Sequence, residues 1–384
     1  MDLSRLLPYA TPRQAECIEA AIQHGGTGRA GKALGVSRSS IRDAISGAKK
    51  KAAAAGYSPE HDLTHPVAPG QALQGASTLY GPDGDVKLQW VKSKADLDAE
   101  QELLDQAVEA ACSSIKREKA VAVPKKVQEN LLNLYVLTDY HIGMRSWPDE
   151  TGEDWDTKIA EDLLYRWFSA AISCAPAADT GVFAQLGDFL HYDGLEAVTP
   201  ASKHILDADT RYQHLVRVAI RAIRRIVRDL LKKHSRVIMI MADANHDEAG
   251  SAWLRELFHA LYEDEPRVTV DRSADTYYCV EWGATSLFFH HGHKKKPEHI
   301  DDVMAAKFRE VFGRTKHSYA HMGHMHFGKL LETNLMVVEQ HRTLAAKDAY
   351  ASRGGYMSGR SASVISYDKD HGEVGRVTLT PEMV

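Results

Sequence analysis

Cysteine is scarce in this chain of 384 residues: Cys17, Cys112, Cys174 and Cys279 are the only four, far apart and without a C-x-x-C pair. That spacing excludes a zinc ribbon and a disulfide framework, and it reads as reduced core residues of a cytoplasmic protein. Long hydrophobic runs are missing too. No stretch of about 18 apolar residues occurs, and the opening MDLSRLLPYATPRQ holds no sustained apolar segment, so neither a membrane span nor export is expected. Internal repeats and low-complexity tracts are also absent, which excludes a repeat array. What remains is a globular composition, 44% hydrophobic, 26% charged and 8% aromatic, long enough for two or three folded units.

The net charge of -5 hides an asymmetry. Residues 1–56 carry nine Lys and Arg against four Asp and Glu, whereas the rest carries 38 against 48. A basic head and an acidic body suggest two separate tasks. Histidine is unevenly placed as well, with eight of the 20 lying between His290 and His326.

Within the head, Pro12 suits a first helical position, and residues 13–24 space Ala15, Ile18, Ala21 and Ile22 as a helix does before Gly25-Gly26 stops it. A second run, 28–34, ends at Gly35, and Ser37 caps a third, 38–51. Short helix, glycine turn and basic helix have the spacing of a helix-turn-helix. Residues 57 to about 75, rich in Pro, Ala, Gly and His, read as a linker, 77–91 as two strands around Gly81-Pro82-Asp83-Gly84, and 96–119 as an amphipathic helix. From about Leu131, strands at 134–137, 182–186, 237–241 and 286–290 alternate with helices at 159–175, 204–234, 252–262 and 298–312, and paired strands at 361–367 and 374–380 follow. The pattern predicts a small all-α helix-turn-helix domain over 1–56, a linker with hairpin and helix over 57–130, and a layered α/β domain over 131–384.

The polar residues stand just past the strand ends, where open α/β sheets place their sites. In order they are Asp139-Tyr140-His141-Ile142-Gly143, Gly187-Asp188, Asn245-His246-Asp247, His291-Gly292-His293 and Gly323-His324-Met325-His326. Mixed oxygen and imidazole donors suit Mn²⁺, Fe²⁺ or Zn²⁺. Seven such ligands exceed one coordination sphere. Two ions about 3.5–4 Å apart, sharing one carboxylate, would use them all and form a clamp for in-line displacement at phosphorus.

In this order the motifs resemble those of the calcineurin-like metallophosphoesterases, across roughly residues 131–330. The resemblance implies a layered β-sandwich flanked by helices, with Asp139, His141 and His326 on a first metal, Asn245, His291 and His324 on a second, and Asp188 bridging them. It also implies that His246 stabilises the phosphoryl oxygens and protonates the leaving oxygen as general acid. The family has Gly before the Asn-His pair where this chain has Ala244, which costs about 1–2 kcal/mol if the position needs a positive φ. Family placement favours His291 over His290, which period-two alternation turns to the other side, and His293 stays unassigned.

Protein phosphatases of that superfamily carry G-D-x-x-D-R-G, but this chain has Tyr192 at the position of the phosphate-gripping Arg. Gly143 beyond His141, together with Asn245-His246-Asp247, is similar to the repair-nuclease branch, such as the nuclease subunit of the bacterial SbcCD complex. The head resembles helix-turn-helix modules of phage terminases and sigma-like regulators. Arg38, Ser39, Ser40 and Arg42 open its recognition helix, and Lys49, Lys50 and Lys51 close it for backbone contact. A two-metal DNA nuclease is the expectation, with Mn²⁺ first among the ions, DNA as partner, and the cytoplasm as location, that of a bacterial host if the chain is phage-encoded. The oligomeric state, a homo-oligomer included, stays open. The alternative is a metallophosphatase or cyclic-nucleotide phosphodiesterase acting on a small molecule or phosphoprotein. Arg211, Arg217, Arg221, Arg224, Arg225 and Arg228 read as a solvated helix face, whereas Lys294, Lys295 and Lys296 are better placed to meet a polyanion, and Arg353, Tyr356 and Arg360 could line the cleft.

Overall fold

The structure is a computed structural model, which describes residues 3–55, 57–58, 71–80, 86–95 and 120–384. The turn at 81–84, the helix expected at 96–119 with Cys112, and most of the expected linker lie outside the described residues. The chain divides into two compact units, Met1–Asp105 and Gln106–Val384.

The first unit begins with a 3-10 helix (Leu3–Tyr9), followed by α1 (Pro12–Gln23), α2 (Thr27–Leu34) and α3 (Arg38–Ala54). Thr11 and Gln14 form a reciprocal capping box on α1, and the Ser37 hydroxyl accepts from the Ser40 amide at the start of α3. Gly35 ends α2 with φ 66°, and a Cβ on Gly31 would stand 2.8 Å from the Val36 carbonyl, so the turn packs directly on α2. Leu6, Ile18, Ala48 and Ala52, with Cys17, Ala30 and Ile41, fill the centre. Arg38, Ser39, Ser40, Arg42, Lys50 and Lys51 are exposed on α3, and Lys49 is half-buried. An antiparallel ribbon of β1 (Gln71–Tyr80) and β2 (Val86–Ala95) completes the unit. It takes in 71–75, which composition alone assigns to the linker.

In the second unit the first elements are β3 (Gln128–Leu137), α4 (Pro148–Thr151), α5 (Thr157–Cys174), β4 (Ala178–Gln185), α6 (Tyr212–Lys233), β5 (Arg236–Met241), α7 (Glu248–Leu261) and β6 (Val268–Val270). Next come β7 (Tyr278–Trp282), β8 (Thr285–His290), α8 (Ile300–Lys307), α9 (Arg309–Arg314), β9 (His317–Met322), β10 (Lys329–Glu332) and β11 (Val337–Gln340). The last are α10 (Ala349–Arg353), β12 (Ala362–Asp368) and β13 (Gly372–Leu379). They build a six-stranded sheet, β13-β12-β3-β4-β5-β6, and a five-stranded one, β10-β11-β9-β8-β7. One core joins the two, with Leu134, Val182, Ile240 and Tyr367 from the first meeting Tyr278, Leu287 and Phe289 from the second. This is the layered β-sandwich flanked by helices that the sequence implies.

Three details differ from expectation. Helix α6 starts at Tyr212, since bridges from Ile205 to Val198 and from Ala208 to Met144 hold 204–211 out of it. The helix expected at 298–312 breaks at Phe308, whose φ of -104° and ψ of 40° separate α8 from α9. Cys174 is exposed rather than core. The α6 arginines form a solvated face: Arg217, Arg221, Arg225 and Arg228 are exposed, and Arg221 is bidentate to Glu161 at 2.7 and 2.6 Å. Among the described residues no helix is long and apolar enough to cross a membrane.

Candidate metal centre

Parallel β3, β4 and β5 end together, and their following loops are laced by backbone hydrogen bonds. The Asp139 amide donates to the Gly187 carbonyl and the His141 amide to the Asp188 carbonyl, both at 3.0 Å. From the second sheet, the Gly323 amide donates to the His291 carbonyl at 2.7 Å, and the His324 amide to Asp139 Oδ2 at 2.8 Å. All five motifs thus meet at one edge of the sandwich. Six non-glycine residues described have positive φ, and five of them are Asp139 (51°), His141 (48°), Asp188 (51°), His324 (76°) and His326 (56°). Each left-handed residue costs about 1–2 kcal/mol. Backbone strain confined to the polar residues of one site marks a functional constraint.

Two groups of side chains share Asp139, and a third, all imidazole, is formed by His141, His191 and His246. Ligand atoms of Asp139, His141 and His326 lie within 4.8 Å of one another, as do those of Asp139, Asp188, His291 and His324. Asn245 joins the second group, its Oδ1 standing 3.1 Å from His291 Nε2. All seven residues singled out in the sequence therefore converge. His291 tests whether a cation fits. Its Nδ1 donates to the Leu186 carbonyl at 2.8 Å, which leaves Nε2 as a lone pair facing Asp188 Oδ2 at 3.2 Å and Asn245 Oδ1 at 3.1 Å. Three electron-rich atoms converging in a buried place need a positive charge between them, and the donor set suits a divalent transition ion.

Without metal, a proton takes that place. Burial works against it, but the Asp188 and Asp139 carboxylates raise His291 to about 9. The carboxyls respond in kind. Burial pushes Asp139 and Asp188 up, yet the facing imidazoles hold both below the usual carboxylate range. The His291 contribution to stability is fully present below its unfolded value of about 6.5 and is lost as pH rises through about 9. The melting temperature of chelator-treated protein is expected to fall over that window. Saturating Mn²⁺ should remove the fall, because the ion replaces the proton.

His246 stands beside both groups. Its amide donates to Asp188 Oδ1 at 2.9 Å, and its Nδ1 donates to the His191 carbonyl at 2.9 Å, which leaves Nε2 as the free ring nitrogen. Asp247 anchors the loop from behind, with Oδ2 accepting from the Leu190 amide at 2.9 Å. Ala244 is not among the positive-φ residues, so the expected penalty does not arise. The close approach falls on Gly187 instead, where φ is 103° and a Cβ would come within 2.5 Å of the Ala244 Cβ.

His191 is the member that sequence reasoning passed over. It is buried, its Nδ1 lies 3.3 Å from His141 Nδ1, and its Nε2 has no partner among the described residues. Its only signal was its place three residues after Asp188. Tyr192 points inward and donates to the Thr210 carbonyl, so nothing at that position reaches the mouth of the site. His290 does diverge from His291: its Nδ1 donates to the Thr276 carbonyl and its ring stacks on Tyr277. His293 lies 5.3 Å from the His291 ring and holds a buried Nδ1 with no partner among the described residues.

His321, Glu339 and His341 also bring ligand atoms together. Here Arg376 clamps Glu339 and Tyr367 caps His321, whose Nδ1 lies 2.9 Å from His341 Nε2. With an arginine already neutralising its only carboxylate, this is an interior hydrogen-bond chain and not a cation site.

No protein-family model matches the chain, and no curated protein matches it. Among solved structures it is similar to an archaeal phosphodiesterase, at 14% identity over 64% of this chain and 99% of that one, with a TM-score of 0.33. A predicted phosphoesterase from Streptococcus pneumoniae is 11% identical over 65% of this chain and 97% of that one, with a TM-score of 0.27. Vps29 of Entamoeba histolytica complexed with zinc is 11% identical over 65% and 99%, with a TM-score of 0.28.

Proposed function

We propose that the second unit is a metal-dependent phosphoester hydrolase of the calcineurin-like kind. The observation that carries this is the pair of ligand groups sharing Asp139, with His246 fixed beside them through Asp188 and His191. More particularly, we propose a DNA nuclease close to the repair-nuclease branch, addressed to DNA by the helix-turn-helix of the head.

Asp139, His141 and His326 would hold one ion, Asn245, His291 and His324 the other, with Asp188 between them. When bound, two divalent ions neutralise charge on a phosphoryl group and lower the pKa of water beside it. The chain's own part is positional. Asp139 is the carboxylate common to both groups, and Asp188, a member of the second, aligns the His246 backbone. The His191 carbonyl holds the His246 ring through Nδ1, which leaves Nε2 as the nitrogen from which an imidazolium would deliver its proton to the departing sugar oxygen. Tyr192, turned inward, supports a diester over a monoester substrate, because no arginine grips terminal phosphate oxygens from that position.

Mn²⁺ is expected to support more activity than Mg²⁺, since imidazole-rich sets favour the softer ion. The deciding assay sets labelled single-stranded, duplex and nicked DNA with Mn²⁺ beside a generic phosphodiester and a phosphomonoester. Efficient hydrolysis of a phosphomonoester or cyclic nucleotide, with every DNA intact and the generic diester cleaved, would replace the nuclease by a small-molecule or phosphoprotein esterase.

Duplex binding by the head is a separate expectation. Arg38, Arg42 and the lysines at 49–51 would neutralise phosphates, so log affinity should fall with log salt by about 0.9 per contact. Replacing Arg38 and Arg42 by Ala should lower both affinity and slope. A salt-independent affinity would make the head a protein-docking module.

A further inference from the structure

The segment between β11 and β12 forms a rim beside the metal centre whose side chains the hydrolytic chemistry leaves unused. It is braced from below, where the Thr343 hydroxyl donates to the Asp139 carbonyl at 2.6 Å. The loop after the first ligands braces it from the side: the Ser146 hydroxyl donates to the Lys347 carbonyl and the Ser352 hydroxyl to the Glu150 carbonyl, both at 2.7 Å.

This fixed segment presents aromatic and basic groups to solvent. Tyr350 and Tyr356 are 74% and 56% exposed, with rings 6.4 Å apart and 29° from parallel. The two rings stack on each other and are otherwise open to solvent. Arg342 is exposed. Its Nε would stand 3.4 Å from a Cβ on Gly328, two residues past His326, which puts the guanidinium beside the metal loop. Lys294, Lys295 and Lys296 are exposed directly after His293.

We propose that this rim binds unstacked single-stranded nucleic acid, with Tyr350 and Tyr356 stacking on bases and Arg342 contacting a phosphate of the strand that enters the metal centre. The inference rests on the phosphodiesterase reading and names the form of its substrate. Ring faces beside cations accept any base while the charges track the backbone. A duplex keeps its bases stacked and offers the rings nothing, so the rim selects single strands, frayed ends and gaps.

The test uses the full chain with a chelator present, so that nothing is cut, and a single-stranded oligonucleotide carrying 2-aminopurine, whose fluorescence falls on stacking. Wild type should quench it. Tyr350→Ala/Tyr356→Ala should lose the quench and bind at least about 5-fold more weakly, and Tyr350→Phe/Tyr356→Phe should restore both, because stacking needs the ring and not the hydroxyl. Arg342→Ala should lower the salt slope by about 0.7. An alanine double variant with wild-type melting temperature that binds and quenches like wild type overturns the proposal. Failure of the phosphodiesterase reading shows separately, as an inert Mn²⁺-loaded wild type on a generic diester.

Discussion

Asp188→Asn is expected to lower hydrolysis of a generic phosphodiester by at least about 10²-fold, since disturbing even an outer partner of a metal ligand costs 10–100-fold. Bound Mn²⁺ should fall from near two per chain to well below that at both positions. Asp188 is buried, has a φ of 51°, faces His291 Nε2 at 3.2 Å, and accepts from the His246 amide. The substitution keeps the shape and removes the charge, and the new amide NH2 can donate to the His291 Nε2 lone pair in competition with an ion, since Nδ1 is committed to Leu186. Metal analysis after Mn²⁺ loading decides the matter. A clean stoichiometry of one, unchanged in the variant, would sink the two-ion arrangement.

His246→Ala should behave in the opposite way, losing about 10²–10⁴-fold in rate while holding its metal. The ring touches the His191 carbonyl through Nδ1, and only its backbone amide touches Asp188. Rate and occupancy are therefore separable at this residue. The loss should shrink on a substrate whose leaving group is already acidic, such as a nitrophenyl diester, because that group departs without a proton. Loss of metal from the variant would make His246 a ligand, and equal losses on acidic and alkoxide leaving groups would remove its role as proton donor.

Histidine shows how far the sequence could be read. Between His290 and His326 the uneven density pointed to a metal site, but His291, His324 and His326 alone of that stretch join the two ligand groups. His290 is held by Thr276, His317 donates to the Asp370 carbonyl, and His321 sits in the chain ending at Arg376. Each of these is a contact between residues far apart in sequence, and local spacing carries no record of it. The helix over 204–234 fails for a similar reason. Its first eight residues have helical composition, yet a bridge from Ala208 to Met144 and hydrogen bonds from the Arg145 amide to the Asp207 carbonyl and from the Asp209 amide to the Gly143 carbonyl hold them out of the helix.

What the sequence determined by itself is the order of the parts: strands alternating with helices, five polar motifs at strand ends, and a basic three-helix head. Those follow from periodicity, capping residues and charge, all properties of neighbours along the chain. What only the tertiary structure decided is which polar residues share a charge and which merely hold one another. Asp139 became common to two groups because β9 delivers His324 and His326 to the end of β3. Tyr192 turned inward, His191 became the support of His246, and Tyr350 with Tyr356 became a rim because Thr343 is tied to Asp139. The physical reason is the same in each case. Whether a buried polar atom must meet a carbonyl, a carboxylate or a cation depends on what packing leaves within about 3 Å of it, and packing brings together residues that the chain keeps hundreds of positions apart.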